Sequence, residues 1–144
     1  AQWEYAARAG ATTAYWFGDD PEDLLRFGWY EANTGARERG FSQTRSRSVA
    51  TKGSNPWGLF DMHGNAFEWT QDAFGPYSAD VRMGDGLRMS SDGTDDRVLR
   101  GGGWGYTASA ARAAYRDRSP PSYRAATLSL RPAMRLAEVE APGT

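Results

Sequence analysis

The chain has 144 residues, a length that fits one domain with a substantial core. Hydrophobic residues make up 40% and aromatic residues 13%, which excludes general disorder, and a formal net charge of -1 disfavours a nucleic-acid or membrane-surface partner. Cysteine is absent, which excludes disulfides, thiolate metal sites and thiol-based catalysis.

The first predicted element is a short helix. In AQWEYAARAG, Trp3, Ala6 and Ala7 share one helical face, and Gly10 stands where a C-terminal cap belongs. The next segment, TAYWFGDD, predicts a brief aromatic strand. It should end at Gly18, because the Asp-Asp-Pro that follows opposes regular structure. No other segment has a convincing helical pattern.

Two stretches predict long surface loops, residues 35–52 and residues 79–96. The first has few apolar residues and carries several arginines, so we interpret it as a solvated loop, with phosphate binding as the alternative. Loops of this length inside a compact domain usually carry function or disorder.

The segment NPWGLFDMHGNAFEW, residues 55–69, combines a tight turn with the start of a strand. Residues 61–65 form the predicted turn, in which Gly64 takes a positive φ. Phe67 and Trp69 then alternate with Ala66 and Glu68, which is typical of a half-buried strand. The aromatic residues are thereby explained as core.

Two carboxylates, Asp61 and Glu68, flank this turn. A hard cation such as Ca²⁺ would satisfy them together with turn carbonyls. The alternative is that Glu68 accepts backbone N–H bonds and Asp61 caps the turn. His63 is the only histidine, which excludes clustered imidazole sites, and we interpret it as a turn residue with no chemical role.

The run RVLRGGGWGY, residues 97–106, predicts an extended segment that ends in three glycines. It lacks the Lys-Ser/Thr of a phosphate loop and the G-x-G-x-x-G spacing of a dinucleotide turn. Close backbone approach beneath Trp104 is the simpler use of these glycines.

Residues 105–133 contain no Trp, Met, Lys, Gln or Glu, and are rich in Tyr, Arg and small residues. This composition is typical of adaptable recognition surfaces. Chance and a general preference for arginine, which outnumbers the single lysine sixteen to one, remain alternative explanations.

Together these blocks resemble the sulfatase-modifying-factor family, that of the formylglycine-generating enzyme. The matching blocks are WEYAARAG, YWFGDD, ANT, NPWGLFDMHGNAFEW, RVLRGGGW and the closing R-x-x-x-R...P...R pattern, from Trp3 to about Leu136. The resemblance implies an α+β, C-type-lectin-like fold of the formylglycine-generating-enzyme type, irregular, with short strands, long loops and few helices. Residues 1–137 match the C-terminal portion of the family domain, and residues 138–144 form a tail. We expect either a fragment or completion by a second chain.

The resemblance also bears on cofactors. The family's reactive cysteines, which hold copper, fall near Ala108 and Ala113, so we expect neither formylglycine formation nor a copper site. The usual closing G-F-R stands as Ser129, Leu130 and Arg131. Family calcium ligands match the four positions Asp61, Gly64, Ala66 and Glu68, the glycine and alanine through their carbonyls.

Non-catalytic relatives look like ligand-binding or sensor modules, some attached to Ser/Thr kinases and some diversified by retroelements after the RGG-W block. We therefore expect a non-catalytic module that binds a protein or peptide, and the biased composition of residues 105–133 is consistent with diversification of that kind. The alternative is a metal-dependent oxidase or oxygenase, which the single histidine disfavours. The expected binding face consists of Trp104, Tyr106, Tyr115, Arg116, Arg118, Tyr123 and Arg124.

Overall fold

A computed structural model of the chain describes residues 1–39, 44–78, 81–83, 86–89 and 95–133. These residues form short helices and one small sheet, which confirms the α+β class with short strands. The helices are α1 (Gln2–Arg8), α2 (Leu24–Phe27), α3 (Glu31–Thr34) and α4 (Ala36–Arg39), with 3₁₀ turns at Pro21–Asp23 and Ala108–Ala111. None of the described helices is long and apolar enough to cross a bilayer.

Helix α1 forms as predicted, with Ala7 fully buried. The helix ends one residue earlier than expected, because Ala9 itself takes the left-handed conformation, with φ 46°. Within the helix, the half-buried Glu4 and Arg8 form an ion pair, 2.8 Å apart at i,i+4 spacing. The sequence predicted only this helix, since α2, α3 and α4 each span four residues and are too short to show helical periodicity.

The prediction of an aromatic strand in TAYWFGDD is wrong. Tyr15 and Gly18 form an isolated bridge, in which the Tyr15 N–H donates to Gly18 O at 3.0 Å and the Gly18 N–H donates to Tyr15 O at 3.3 Å. Trp16 and Phe17 are therefore the tip of a tight turn. The Asp19 carboxylate fixes this turn by accepting a bond from the Ala14 N–H at 2.7 Å.

The sheet has the order β3-β2-β1-β4, with β1 at Phe67–Ala73, β2 at Arg97–Arg100, β3 at Asp117–Ser119 and β4 at Leu128–Leu130. Strand β1 pairs antiparallel with β2 and parallel with β4, and β2 pairs antiparallel with β3. The register of β1 against β2 shifts between Trp69 and Ala73, which marks a bulge. The chain between β3 and β4 therefore crosses from one edge of the sheet to the other.

The predicted loop over residues 35–52 begins with a helical turn, α4, and so is only partly irregular. Its second half is held against the 61–65 turn. The Asn65 side chain accepts from the Arg47 N–H at 2.8 Å and donates to Arg47 O at 3.1 Å, while Asp61 accepts from the Ala50 N–H at 2.7 Å. Much of the second predicted loop, residues 79–96, lies outside the described residues, as does the 138–144 tail.

The core has two clusters of buried side chains. The first joins Tyr15, Leu24, Tyr30 and Ala111, and the second joins Phe67, Leu99 and Ala110. The glycine run permits the close approach that we predicted. Gly102 has φ +77°, and a Cβ there would meet the Ala111 backbone at 2.9 Å.

Candidate recognition surface and cation site

The turn at residues 61–65 has the predicted conformation. Gly64 has φ +94°, and its N–H donates to Gly101 O at 2.6 Å. The next residue, Asn65, is also left-handed, and its N–H donates to Trp29 O at 2.7 Å. A side chain at position 64 would collide with the Trp29 backbone, so glycine is required there.

Asp61 carries the one unsatisfied buried side-chain oxygen among the described residues. Its Oδ2 accepts from the Ala50 N–H, whereas Oδ1 has no hydrogen-bond partner, although Asp61 is only 8% exposed. A buried, unpaired carboxylate oxygen is costly and calls for a ligand. Asp61 also has a left-handed backbone, with φ 56°.

Glu68 is engaged by side chains rather than by the backbone N–H groups of our alternative interpretation. Its Oε2 accepts from Trp3 Nε1 at 2.7 Å. Both carboxylate oxygens also accept from Arg131, through Nε at 2.9 and 3.1 Å and Nη2 at 2.7 Å. Glu68 is buried, so this pair is shielded from water on the carboxylate side.

The four predicted calcium ligands, Asp61, Gly64, Ala66 and Glu68, line one cavity of about 450 Å³. Carboxylate and carbonyl oxygens are the donors that Ca²⁺ requires, and Asp61 Oδ1 is unsatisfied, so the residues fit a hard cation. Glu68 would share its oxygens between such a cation and Arg131. The site depends on carbonyls, because no three His, Asp or Glu side chains in the described ranges converge as a metal cluster.

His63 is buried between the turn and the first core cluster. The Trp16 N–H donates to Nε2 at 3.3 Å, so the Nδ1 proton is the one donated to Ala111 O, at 2.7 Å. The ring also packs edge-on against Tyr15 and Phe17. Burial lowers the pKa of His63 to about 4, so it is neutral at pH 7 and both nitrogens are occupied.

Three of the aromatic residues expected on the binding face pack in or against the core. Trp104 is 2% exposed, and its carbonyl accepts from Thr34 Oγ1 at 2.7 Å. Tyr106 is half-buried and packs edge-on against Phe67, with 4.9 Å between ring centroids, and Tyr115 is half-buried against the same cluster. Burial raises the pKa of Tyr115. The burial of Trp104 does not fit a ligand-contacting role, whereas for the half-buried Tyr106 and Tyr115 that role stays a prediction.

Tyr123 and Arg124, by contrast, lie on the surface in the connection from β3 to β4. Tyr123 is 50% exposed, and Arg124 Nη1 donates to Pro121 O at 2.6 Å and to Tyr123 O at 2.9 Å. Both residues line a groove of about 760 Å³. We call this the crossover groove; it is bounded by the 121–125 connection, strands β1 and β4, and residues 82, 87, 89 and 97.

Sequence reasoning missed part of this groove. Trp69 was assigned to the core, yet it is half-buried and lines the groove. Met89 and Leu130 are exposed lining residues that no motif singled out. One signal for the groove was present in the sequence, the replacement of the family's G-F-R by Ser129, Leu130 and Arg131. It places a leucine on β4, an edge strand of the sheet.

Arg116 and Arg118, also in the expected set, lie beside and within β3, away from Tyr123. Both contact the ring of Phe74, with each guanidinium carbon 4.9 Å from the ring centroid. The residues of the expected binding face therefore lie in three places. Trp104, Tyr106 and Tyr115 pack in or against the core, Arg116 and Arg118 contact Phe74, and Tyr123 and Arg124 line the crossover groove.

The positions matched to the family's cysteines also differ in their surroundings. Ala108 lines a separate cleft of about 560 Å³ together with Tyr15 and Tyr30. Ala113 is fully buried, and its N–H donates to Ala14 O at 2.8 Å. Neither position carries a thiol.

Comparison with known proteins gives a consistent result. The family described as "Sulfatase-modifying factor enzyme 1-like domain" matches residues 1–136. The formylglycine-generating enzyme of Mycobacterium tuberculosis is 33% identical over 71% of this chain and 37% of its own length. Serine/threonine-protein kinase pkn1 of Chlamydia pneumoniae is 33% identical over 84% of this chain and 18% of its own length.

Solved structures show the same fold. Variable protein 1 of Treponema denticola matches with a TM-score of 0.70 and 29% identity, over 89% of this chain and 43% of that chain. PvdO from Pseudomonas aeruginosa matches with a TM-score of 0.68 and 23% identity, over 90% and 48%. The chain thus spans less than half the length of each relative named here.

These matches confirm the C-type-lectin-like fold of the formylglycine-generating-enzyme type. The family model covers residues 1–136, which is nearly the whole chain. The chain belongs to the sulfatase-modifying factor enzyme 1-like domain family.

Proposed function

We propose that this domain is a non-catalytic recognition module that binds a protein or peptide ligand in the crossover groove. The observation that carries the proposal is the groove itself, which joins a half-exposed tyrosine, Tyr123, and an arginine, Arg124, to an apolar lining. Tyrosine and arginine are enriched among residues that dominate binding energy at protein interfaces.

The lining of the groove supports a peptide-sized ligand. Trp69 and Leu128 are half-buried in it, while Met89 and Leu130 are exposed, the latter by 70%. Apolar side chains that are exposed around a concave surface favour binding, because a partner that covers them removes them from water. The backbone carbonyls that hold Arg124 limit its side-chain freedom before binding, which lowers the entropic cost of association.

The chemistry of the chain supports a non-catalytic role. Formylglycine formation in the family depends on cysteines, and this sequence has none. His63 has both ring nitrogens occupied inside the core and faces neither the crossover groove nor the cleft at Ala108. No observation favours the alternative of a metal-dependent oxidase.

Sequence diversification after the RGGGW block is part of this proposal. Exposed positions after the RGGGW block include Thr107, Ser109 and residues 120–124 of the connection from β3 to β4. Substitution at such positions changes a surface without opening a core cavity. The biased composition of residues 105–133 agrees with diversification confined to a restricted set of codons.

For the cation, we propose that Ca²⁺ is held by Asp61, Glu68 and the carbonyls of Gly64 and Ala66. The unsatisfied Asp61 Oδ1 supports this assignment. A bound ion would link the turn to the start of β1 and compensate for two acidic side chains in one cavity. Its role would be structural.

The parent protein is a further proposal. In the chlamydial kinase, the matching region is a small part of a much longer chain. We propose that this domain likewise acts within a larger assembly, attached to a Ser/Thr kinase or completed by another chain. The ligand of the groove would then be the signal that the assembly detects.

The test is selection of a phage-displayed random peptide library on the purified domain. Enriched peptides should bind the wild-type domain in calorimetry and should lose at least about tenfold in affinity to Tyr123→Ala, as expected for an interface anchor. The double variant Tyr123→Ala/Arg124→Ala should lose more.

The matched control is Tyr5→Ala, which removes another tyrosine that is 69% exposed and lies outside the groove. This variant should retain wild-type affinity. Failure to enrich any peptide, or peptides that bind the Tyr123 and Tyr5 variants equally, would overturn the proposal.

A further inference from the structure

A second surface feature joins the chain just after β1 to strand β3 and the residue that precedes it. The guanidinium carbon of Arg116 is 4.9 Å from the ring centroid of Phe74 and 4.6 Å from that of Tyr77. Arg118 contacts the Phe74 ring at 4.9 Å, and Arg88 contacts the Tyr77 ring at 5.6 Å. We call these five residues the arginine–aromatic cluster.

The three guanidinium groups differ in how they are compensated. Arg118 pairs with Asp96 at 3.6 Å, and Arg88 donates to the carbonyls of Pro76 and Tyr77 at 3.1 Å each. Arg116 makes a single hydrogen bond, from Nη2 to Gly75 O at 2.9 Å.

Within the described part of the chain, Arg116 has no ion-pair partner, although it is half-buried. Most charged groups at that depth are paired. Most of its N–H donors are therefore available.

The stacking rings also hold this guanidinium in place. A free arginine loses side-chain entropy when it captures an anion, and contact with two rings reduces that loss in advance. A planar guanidinium whose donors are free matches a carboxylate, which can accept two parallel N–H bonds. The arrangement is that of a carboxylate receptor.

We propose that Arg116, supported by Arg118, binds an acidic side chain or terminal carboxylate of the protein or peptide ligand. This inference rests on the proposed recognition function and adds the chemistry of one ligand group. Asp96, which pairs with Arg118, directly precedes Arg97, a residue that lines the crossover groove.

Nearby charges favour a short acidic segment over a nucleic acid. Asp72, Asp96 and Asp117 lie on the strands or strand ends around the cluster, and the whole chain has a formal charge of -1. A long polyanion would meet these carboxylates as well as the arginines, whereas one or two carboxylates can reach Arg116 alone.

The experiment uses the wild-type domain and a diglutamate peptide with blocked termini, with binding followed by NMR titration in low salt. Binding should weaken by at least about tenfold in Arg116→Gln, as expected for loss of a charge-assisted pair. Arg116→Lys should weaken it by several fold, since lysine retains the charge but lacks the planar fork.

Arg39→Gln is the matched control, because it removes the same charge from an exposed helix end outside the cluster. It should leave the affinity within about twofold of wild type, as expected for a distant screened charge. If Arg116→Gln is poorly folded, Arg118→Gln, at an exposed strand position, replaces it and should weaken binding in the same direction.

Equal losses of affinity in the Arg116 and Arg39 variants would show an effect of net charge alone and overturn the inference, as would absence of binding by the diglutamate peptide. Tighter binding of a single-stranded oligonucleotide or of inorganic phosphate than of the diglutamate peptide would also overturn it. If the groove proposal were wrong, the affinity of peptides selected on the domain would not change in Tyr123→Ala. That result does not depend on the outcome for the Arg116 variants, so the two failures can be told apart.

Discussion

Arg131 and Glu68, 63 residues apart in sequence, form a forked ion pair in which Nε and Nη2 of the arginine donate to both carboxylate oxygens. Glu68 is in β1, and Arg131 directly follows β4, so the pair clamps the parallel strands together. Arg131 Nη2 also donates to Phe60 O at 2.8 Å, just before the glycine turn.

With a calcium chelator present, replacing Arg131 with methionine should destabilise the domain by about 2–3 kcal/mol, because it leaves the buried Glu68 carboxylate without a counterion. Urea unfolding followed by tryptophan fluorescence measures the change. The control is Arg26→Met, which breaks an exposed ion pair with Asp23 and should cost less than about 1 kcal/mol. Equal effects of the two variants would show that the buried pair contributes no more than the exposed one.

Stability should fall as the pH decreases from 6.5 towards 4. The pKa of His63 is lowered from 6.5 to about 4 in the folded protein, so the unfolded chain binds more protons between these values. This contribution of His63 to the free energy of unfolding is roughly 3 kcal/mol. It is fully present above pH 6.5 and is lost as the pH falls to about 4.

Urea unfolding at several pH values, with His63→Asn as the comparison, isolates this effect from carboxylate titration. The variant should be less stable at pH 7, and its stability should depend less steeply on pH between 6.5 and 4. An unchanged slope would mean that His63 is not responsible.

Calcium should raise the thermal midpoint of the wild-type domain, since a ligand that binds only the folded state stabilises it by mass action. Asp61→Asn retains an oxygen for the Ala50 N–H but removes the charge, and should weaken calcium binding by about tenfold or more. Differential scanning calorimetry with calcium or with a chelator measures both effects.

Asp23→Asn is the control for this prediction, because it makes the same charge change away from the cavity. Its response to calcium should equal that of the wild type. A wild-type midpoint that is the same with calcium and with chelator would exclude the proposed ion.

Tyr106 and Tyr123 should respond oppositely to truncation. Tyr106→Ala removes the ring that packs on Phe67 and should cost about 2 kcal/mol of stability. Tyr123→Ala changes an exposed side chain and should alter stability by less than about 0.5 kcal/mol while weakening ligand binding. Thermal unfolding of both variants distinguishes them, and a large loss in Tyr123→Ala would assign this residue to the core.

The sequence predicted the parts of the fold that local chemistry determines. Gly64 was assigned to a turn because few other residues adopt its backbone conformation, and Phe67 to a strand because of the alternation that follows it. The turn at Tyr15–Gly18 was mistaken for a strand, since aromatic residues favour strands and nothing local showed that only one bridge would form.

The binding face could be predicted only in part, because similar residues near one another have different environments. Tyr115 and Tyr123 follow the same RGGGW block, but one packs in the second core cluster and the other is exposed. Stacking of Arg116 on Phe74 joins residues about 40 positions apart and leaves no local pattern. Such contacts are set by sheet order, which a single sequence does not reveal.

The order of the strands also limits how this surface can evolve. The end of β3 is level with Ala73, whereas β4 begins level with Phe67. The connection must therefore cross three interstrand spacings, about 14 Å, and also travel roughly 20 Å along the sheet. That path of roughly 24 Å needs about seven fully extended residues, nearly the whole connection at residues 120–127. Both of its ends are anchored by pairing. Natural variants of the ligand-facing connection should therefore differ in residue identity far more than in length, and short deletions there should cost more than any exchange of one exposed side chain.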